Sequence, residues 1–140
     1  MRSIPTPLAV VPAVALGGAV GGTARYGVDR MLATRPGEFP QATFAVNVAG
    51  AFLLALLLFL VLEVWPPTRY VRPFAAVGVL GSFTTFSTWM VELDQMLVDG
   101  ATLPAVSYLA ASVLGGAAAT VLGLVLGRRL AARRSHGRRA

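Results

Sequence analysis

Apolar residues dominate four stretches of this chain: Leu8 to about Leu32, Ala42 to Leu62, Pro73 to about Leu97, and Leu103 to Leu126. Each is long enough to cross the hydrocarbon core of a bilayer, which is about 30 Å thick and takes roughly 20 helical residues. The joints between them are short and rich in breakers: Thr34-Arg35-Pro36-Gly37-Glu38, Trp65-Pro66-Pro67-Thr68-Arg69, and Asp99-Gly100 with Pro104 soon after. The pattern predicts an all-α integral membrane protein with one compact domain of four transmembrane helices over residues 8–127. A short N-terminal segment, 1–7, precedes it and a basic tail, 128–140, follows.

The third stretch departs from a plain apolar helix. Gly81-Ser82-Phe83-Thr84-Thr85-Phe86-Ser87-Thr88-Trp89 sets hydroxyls and aromatics near the middle of a span. In hydrocarbon such groups find no water, so they persist where they face protein, an ion or a wet pathway. Gly81 weakens the helix, and Ser82, Thr84, Thr85, Ser87 and Thr88 can bond nearby carbonyls in competition with the helical ladder. Two outcomes are open. Either the hydroxyls bond back to the preceding turn of a continuous helix, or the third helix is broken at Gly81 to Thr85. A break would release carbonyl oxygens able to bind a small hard cation such as Na⁺ without a carboxylate.

Composition supports the membrane reading: 56% of the 140 residues are hydrophobic, 13% are charged, and mean hydropathy is +0.70. With no cysteine and one histidine, His136 in the basic tail, disulfide, thiolate-metal and thiol chemistry are excluded. No histidine or cysteine cluster, carboxylate pair or nucleophile-base arrangement suggests an enzyme. Arg2 before an alanine- and glycine-rich run also fits a cleaved leader, but Arg25-Tyr26 and the later glycines read better as part of a permanent span.

Charge then orients the spans. The N-terminus, the second joint and the tail share one side, which carries Arg2, Arg69, Arg72, Arg128, Arg129, Arg133, Arg134, Arg138 and Arg139 against Glu63. The opposite side, or the helix ends facing it, holds Arg25, Arg30 and Arg35 against Asp29, Glu38, Glu92, Asp94 and Asp99. Basic residues near span ends resist translocation, so both termini are predicted to be cytoplasmic. The tail abuts a span and lacks interleaved aromatics, which suits anionic lipid heads better than nucleic acid.

Glycines repeat at a spacing of four, Gly17-Gly18 with Gly21-Gly22 and Gly123 with Gly127, and Gly115-Gly116 lies on the fourth span. Small residues let helices approach closely, either within one subunit or between two. Four spans of this size enclose little interior volume, so a dimer is the economical architecture for a conducting path.

Three motifs carry a family resemblance. Gly81-Ser82-Phe83-Thr84-Thr85-Phe86-Ser87-Thr88-Trp89 resembles the Gly-x-x-Thr-Thr-Phe-Ser-Thr-Phe signature of the Fluc (CrcB) family of fluoride channels. Gly17-Gly18-Ala19-Val20-Gly21-Gly22-Thr23-Ala24-Arg25-Tyr26 resembles the family's first-span pattern, and Thr43-Phe44-Ala45-Val46-Asn47-Val48-Ala49-Gly50 its second-span pattern. The resemblance runs in register from about Leu8 to Gly127.

It implies passive, multi-pass export of fluoride across the plasma membrane by an antiparallel dual-topology dimer, with two pores and a structural, untransported Na⁺ at its centre. The Na⁺ carbonyls match Gly81 and Thr84. The pore phenylalanines match Phe86 and, with a change, Trp89; the pore asparagine matches Asn47; the hydroxyl path matches Thr43, Ser87 or Thr88, and Tyr108 with Ser112. The residue types suit an anion, since an amide NH₂, hydroxyls and positive ring edges supply donors without a neutralising charge. Arg25 reads as a structural arginine bonding a neighbouring helix, because a fixed charge in the path would hold the anion too tightly.

Trp89 departs from the pattern, which either alters one aromatic station or disables one pore. The strong charge bias also disfavours a subunit that inserts both ways, so pairing with a related subunit of opposite orientation, a heterodimer, is expected over a homodimer. Two rival readings remain: a non-conducting or half-active subunit of such a heterodimer, and a small multidrug-type cation exporter. The exporter needs a carboxylate within the first span, where Asp29 lies only at the far end.

Overall fold

The computed structural model describes residues 9–35, 37–64 and 69–137. The N-terminal segment 1–7 and the Trp65-Pro66-Pro67-Thr68 part of the second joint lie outside the described residues. All regular structure among the described residues is helical. Helix α1 is Val11–Met31 and α2 is Gln41–Phe59, which continues in wider π-type turns over Leu60–Val64. Helix α3 begins as a π-type run, Arg72–Leu80, and tightens over Gly81–Phe83; α4 is Phe86–Val98 and α5 is Thr102–Gly137.

Among the described residues three helical paths are long and apolar enough to cross a membrane: Gln41–Glu63, Arg72–Val98 and Thr102–Ala132. Helix α1 has the length but not the composition, because its paired glycines and Arg25, Asp29 and Arg30 dilute Val, Leu and Ala. The last helix runs into the basic stretch, so Arg128 and Arg129 lie on a helix continuous with the span.

Packing is pairwise, α1 on α3 and α2 on α5. The glycines make both seams possible. Gly17 and Gly21 of α1 are buried where a β-carbon would run into the backbone oxygens of Phe74 and Val79. A β-carbon on Gly78, from the other side, would stand 2.7 Å from Val14 O and 2.8 Å from Gly17 Cα. On the second seam a β-carbon on Gly123 would stand 2.5 Å from Phe52 O, and one on Gly127 would run into the Phe59 ring. These glycines serve packing within one subunit, whereas a β-carbon on Gly22 or Gly116 would meet nothing within 4 Å.

The α4–α5 corner is closed by a glycine turn. Gly100 has φ +76°, a left-handed conformation that a side chain disfavours, and the Gly100 and Ala101 amides bond Leu97 O at 3.1 Å and Met96 O at 2.8 Å. This tight reversal lays α5 back along α4. A small core forms there from Leu93, Met96, Ala105 and Tyr108, flanked by Phe39, Phe44, Trp89 and Ala101.

Candidate functional site

Between α3 and α4 two residues leave the helical path. Thr84 has φ −85°, ψ 157° and Thr85 has φ −148°, ψ 124°, both extended. The interruption is narrower than the Gly81 to Thr85 stretch suggests, since Gly81–Phe83 remain helical. Side chains hold it open. Asn47 on α2 donates from Nδ2 to Thr85 O and accepts the Thr85 amide on Oδ1, both at 2.9 Å. One amide thereby satisfies both backbone groups of an extended residue, which membrane interiors otherwise forbid.

Thr85 in turn caps α4. Its Oγ1 accepts the Thr88 amide at 3.2 Å, donates to Thr88 Oγ1 at 2.9 Å, and lies 3.4 Å from Ser87 Oγ. Thr84 is anchored backward, its amide and its hydroxyl both donating to Leu80 O at 3.1 and 2.9 Å. Gly50, one turn after Asn47, carries no β-carbon because the Thr84 methyl fills that space.

These bonds redirect two helical donors. In an unbroken helix the Thr85 amide would go to Gly81 O and the Thr88 amide to Thr84 O. The first goes to Asn47 and the second to Thr85 Oγ1, so the carbonyls of Gly81 and Thr84 lose their ladder partners. Both residues line an open cleft of about 360 Å³ with Asn47, Gly50, Thr85 and Phe86. Such oxygens are the donor set a hard monovalent cation takes. Among the described residues no group of three His, Cys, Asp or Glu side chains offers an alternative metal cage.

A second cluster lies farther along α4. Glu92 accepts from Thr43 Oγ1 on one carboxylate oxygen and from the Tyr108 hydroxyl on the other, each at 2.7 Å. Thr43 and Tyr108 are almost wholly buried, at 3% and 0% exposure, and Phe39 packs edge-on against the Tyr108 and Phe44 rings at 5.0 and 5.3 Å. The charge-assisted pair joins α2, α4 and α5. Glu92 also lines a cavity of about 650 Å³ with Glu38, Asp94, Asp99 and Arg35, so the acidic side of the molecule forms a mouth over this cluster.

The structure thus brings Asn47, Gly81, Thr84 and Phe86 to one cleft, and Thr43 and Tyr108 to Glu92. Phe86 is 71% exposed and stands 5.6 Å from the Trp89 ring, tilted by 56°. Ser87 and Thr88 are exposed beside Thr85. Trp89 Nε1 and Ser112 Oγ are buried atoms without a hydrogen-bond partner among the described residues. Arg25 is half-buried on α1, and no bond to a neighbouring helix is formed by it among the described residues.

The sequence gives Glu92 and Gly50 no role at the site, and Thr85 enters only as one of several hydroxyls that compete with the helical ladder. Glu92 reads as one of several charges near the end of a span, yet it sits one turn past Thr88 and Trp89 on an apolar helix. A carboxylate so placed needs partners.

A family model described as CrcB-like protein, Camphor Resistance (CrcB) matches residues 12–124. A relative from Streptomyces avermitilis named fluoride-specific ion channel FluC 3 is 60% identical over 134 residues, covering 92% of this chain and 66% of that protein, so this chain spans just under two thirds of its length. A fluoride-specific ion channel FluC 2 from Nocardia farcinica is 47% identical over 87% of each chain. The fluoride-specific ion channel FluC of Deinococcus radiodurans is 48% identical over 84% of this chain and 94% of that protein.

Proposed function

This chain belongs to the CrcB family, and on that premise we propose that it is a passive fluoride channel of the plasma membrane. It works as a multi-pass subunit of an antiparallel dimer and performs no enzymatic reaction. The observation that carries the reading is the interruption at Thr84 and Thr85, held by the reciprocal Asn47 bonds. A span pays for such a defect only where the freed groups have a use, and here they are two carbonyls and a row of donors.

Gly81 and Thr84 carbonyls fit a structural Na⁺, which would supply a fixed positive charge at the centre of the dimer. The fit rests on the redirected Thr85 and Thr88 amides, which leave those oxygens without helical donors. Fluoride passes beside them, exchanging water for O–H and N–H donors and positive ring edges. Phe86, exposed and edge-accessible, suits one such station. In this account Thr43 and Tyr108 position Glu92 at the acidic mouth, while Ser87 or Thr88 and Ser112 line the path. Arg25 bonds the second subunit, and α1 serves as the fourth span by packing its glycine face on α3.

Charge segregation favours a second reading of composition, though not of activity. Glu38, Glu92, Asp94 and Asp99 gather around one cavity, whereas the sequence concentrates arginine at Arg69, Arg72 and in the stretch from Arg128 to Arg139. A chain so biased settles with both termini in the cytoplasm, and its antiparallel mate is then a related subunit of opposite bias.

Expression in a bacterium stripped of its own fluoride channels tests both statements. Co-expression with a CrcB-family subunit of opposite charge bias is expected to restore growth in fluoride, and failure of the membrane-inserted pair to do so overturns the channel reading. Full rescue by this chain alone removes the heterodimer and leaves the homodimer.

A further inference from the structure

Helix α2 meets the interruption at two points one turn apart, and they differ in kind. At the first, Asn47 holds Thr85 by hydrogen bonds. At the second, the buried Gly50 receives the Thr84 methyl, which occupies the place a β-carbon would take. Phe83 Cδ1 would stand 3.7 Å from the same β-carbon, so the spot is closed on that side as well.

Thr84 has little freedom to withdraw its methyl. Branching at the β-carbon ties methyl and hydroxyl to one χ1 setting, and the hydroxyl donates to Leu80 O at 2.9 Å. Turning the methyl away from α2 breaks this bond. The side chain is thus fixed at both of its γ-atoms while the backbone is extended, with ψ 157°. The ψ angle sets where a residue's carbonyl points, so the seat on Gly50 bears on the direction of Thr84 O. The Asn47 bonds act on the other oxygen, because they divert the Thr85 amide from Gly81 O.

We propose that Gly50 is a positioning residue of the cation site: by seating the Thr84 methyl it aims the Thr84 carbonyl into the cleft that both residues line. The inference rests on the Na⁺ reading of that cleft and adds to it the feature of α2 that sets the geometry of one ligand. Its consequence is that volume at Gly50 and volume at Thr84 trade against each other. A methyl added on α2 displaces Thr84, and removing the Thr84 methyl makes room for it.

Thr84-Thr85 is the only Thr-Thr pair in the chain, so ¹³C-carbonyl and ¹⁵N labelling of threonine gives one peak that links the Thr84 carbonyl to the Thr85 amide. The full chain is purified in detergent without Na⁺, with its mate, where it takes one, left unlabelled. Titration with Na⁺ is expected to move the peak in a saturable way. Gly50→Ala should raise the half-saturating Na⁺ about tenfold, the equivalent of the one hydrogen bond Thr84 must break to yield. Adding Thr84→Ser, which deletes the methyl and keeps the hydroxyl, should bring it back to within about threefold of the unsubstituted protein; carbonyl-labelled serine then reports residue 84. Thr84→Val keeps the volume and deletes the bond to Leu80 O, so it should weaken Na⁺ about tenfold and answers the same question if Gly50→Ala fails to fold. Unchanged half-saturation in Gly50→Ala or in Thr84→Val, or a double variant no better than Gly50→Ala, overturns the seat and leaves the Na⁺ site standing. A peak that ignores Na⁺ in the unsubstituted protein discards the Na⁺ site and the role of Gly50 with it.

Discussion

Replacing Asn47 by leucine is expected to abolish fluoride flux while leaving the protein folded. Hydrogen bonds between membrane helices average about 0.6 kcal/mol and reach about 1.7, so the two made to Thr85 together contribute about 1–3 kcal/mol. Once they are lost, the Thr85 amide has an alternative acceptor in Gly81 O, one helical turn back. The ladder then closes across the interruption and withdraws the oxygens that the proposed Na⁺ site needs. At the upper end of that range the loss corresponds to a roughly hundredfold fall in the population of the open arrangement, and flux through reconstituted vesicles should fall by up to that order. Asn47→Asp keeps the acceptor but loses the donor, and it sets a negative charge beside the path. It should fail as completely. Wild-type flux in either variant would show that the Asn47 bonds to Thr85 are incidental.

Gly21→Leu has the largest expected effect on the fold itself. Its β-carbon would overlap the Val79 carbonyl, and the obstacle is backbone in a packed helix rather than a side chain that can swing away. Overpacking in cores costs about 1–3 kcal/mol and more where nothing can yield, so α1 should separate from α3. Thermal unfolding of the detergent-purified protein, followed by size-exclusion chromatography, reads the loss. Gly22→Ala is the matched control, because its added methyl meets nothing within 4 Å in the subunit. It should remain folded, and equal damage from both would contradict the packing seam.

Much of this architecture is visible in the order of residues. The apolar stretches mark the helices, and the hydroxyl run from Ser82 to Thr88 marks the place where α3 gives way to α4. The chemistry of that run is local, since threonine competes with the ladder wherever it stands, and Thr85 does so by capping α4.

What holds the interruption open is not local. Asn47 and Thr85 are 38 residues apart, and their pairing depends on the register of α2 against α4. No motif spacing encodes that register. Glu92 illustrates the same limit: its partners Thr43 and Tyr108 come from two other helices, 49 and 16 residues away. Read along the chain, it resembles the solvated acids Asp94 and Asp99 that follow; read in three dimensions, it is the anchor of a buried cluster.

The first helix shows another limit. Its length suggests a span, but glycines selected for contact with α3 carry little hydrophobicity, so composition and packing point in different directions. The wide turns of Arg72–Leu80 likewise have no sequence signal beyond Gly78 and the nearby Pro73.

Fluoride-electrode recording of efflux from liposomes, with the chain reconstituted beside a CrcB-family subunit of opposite charge bias, tests the central claim most directly. The account predicts rapid fluoride release that the pair alone supports, with chloride retained in parallel vesicles. Fluoride release no faster than from empty liposomes, or chloride release at the same rate, would contradict it.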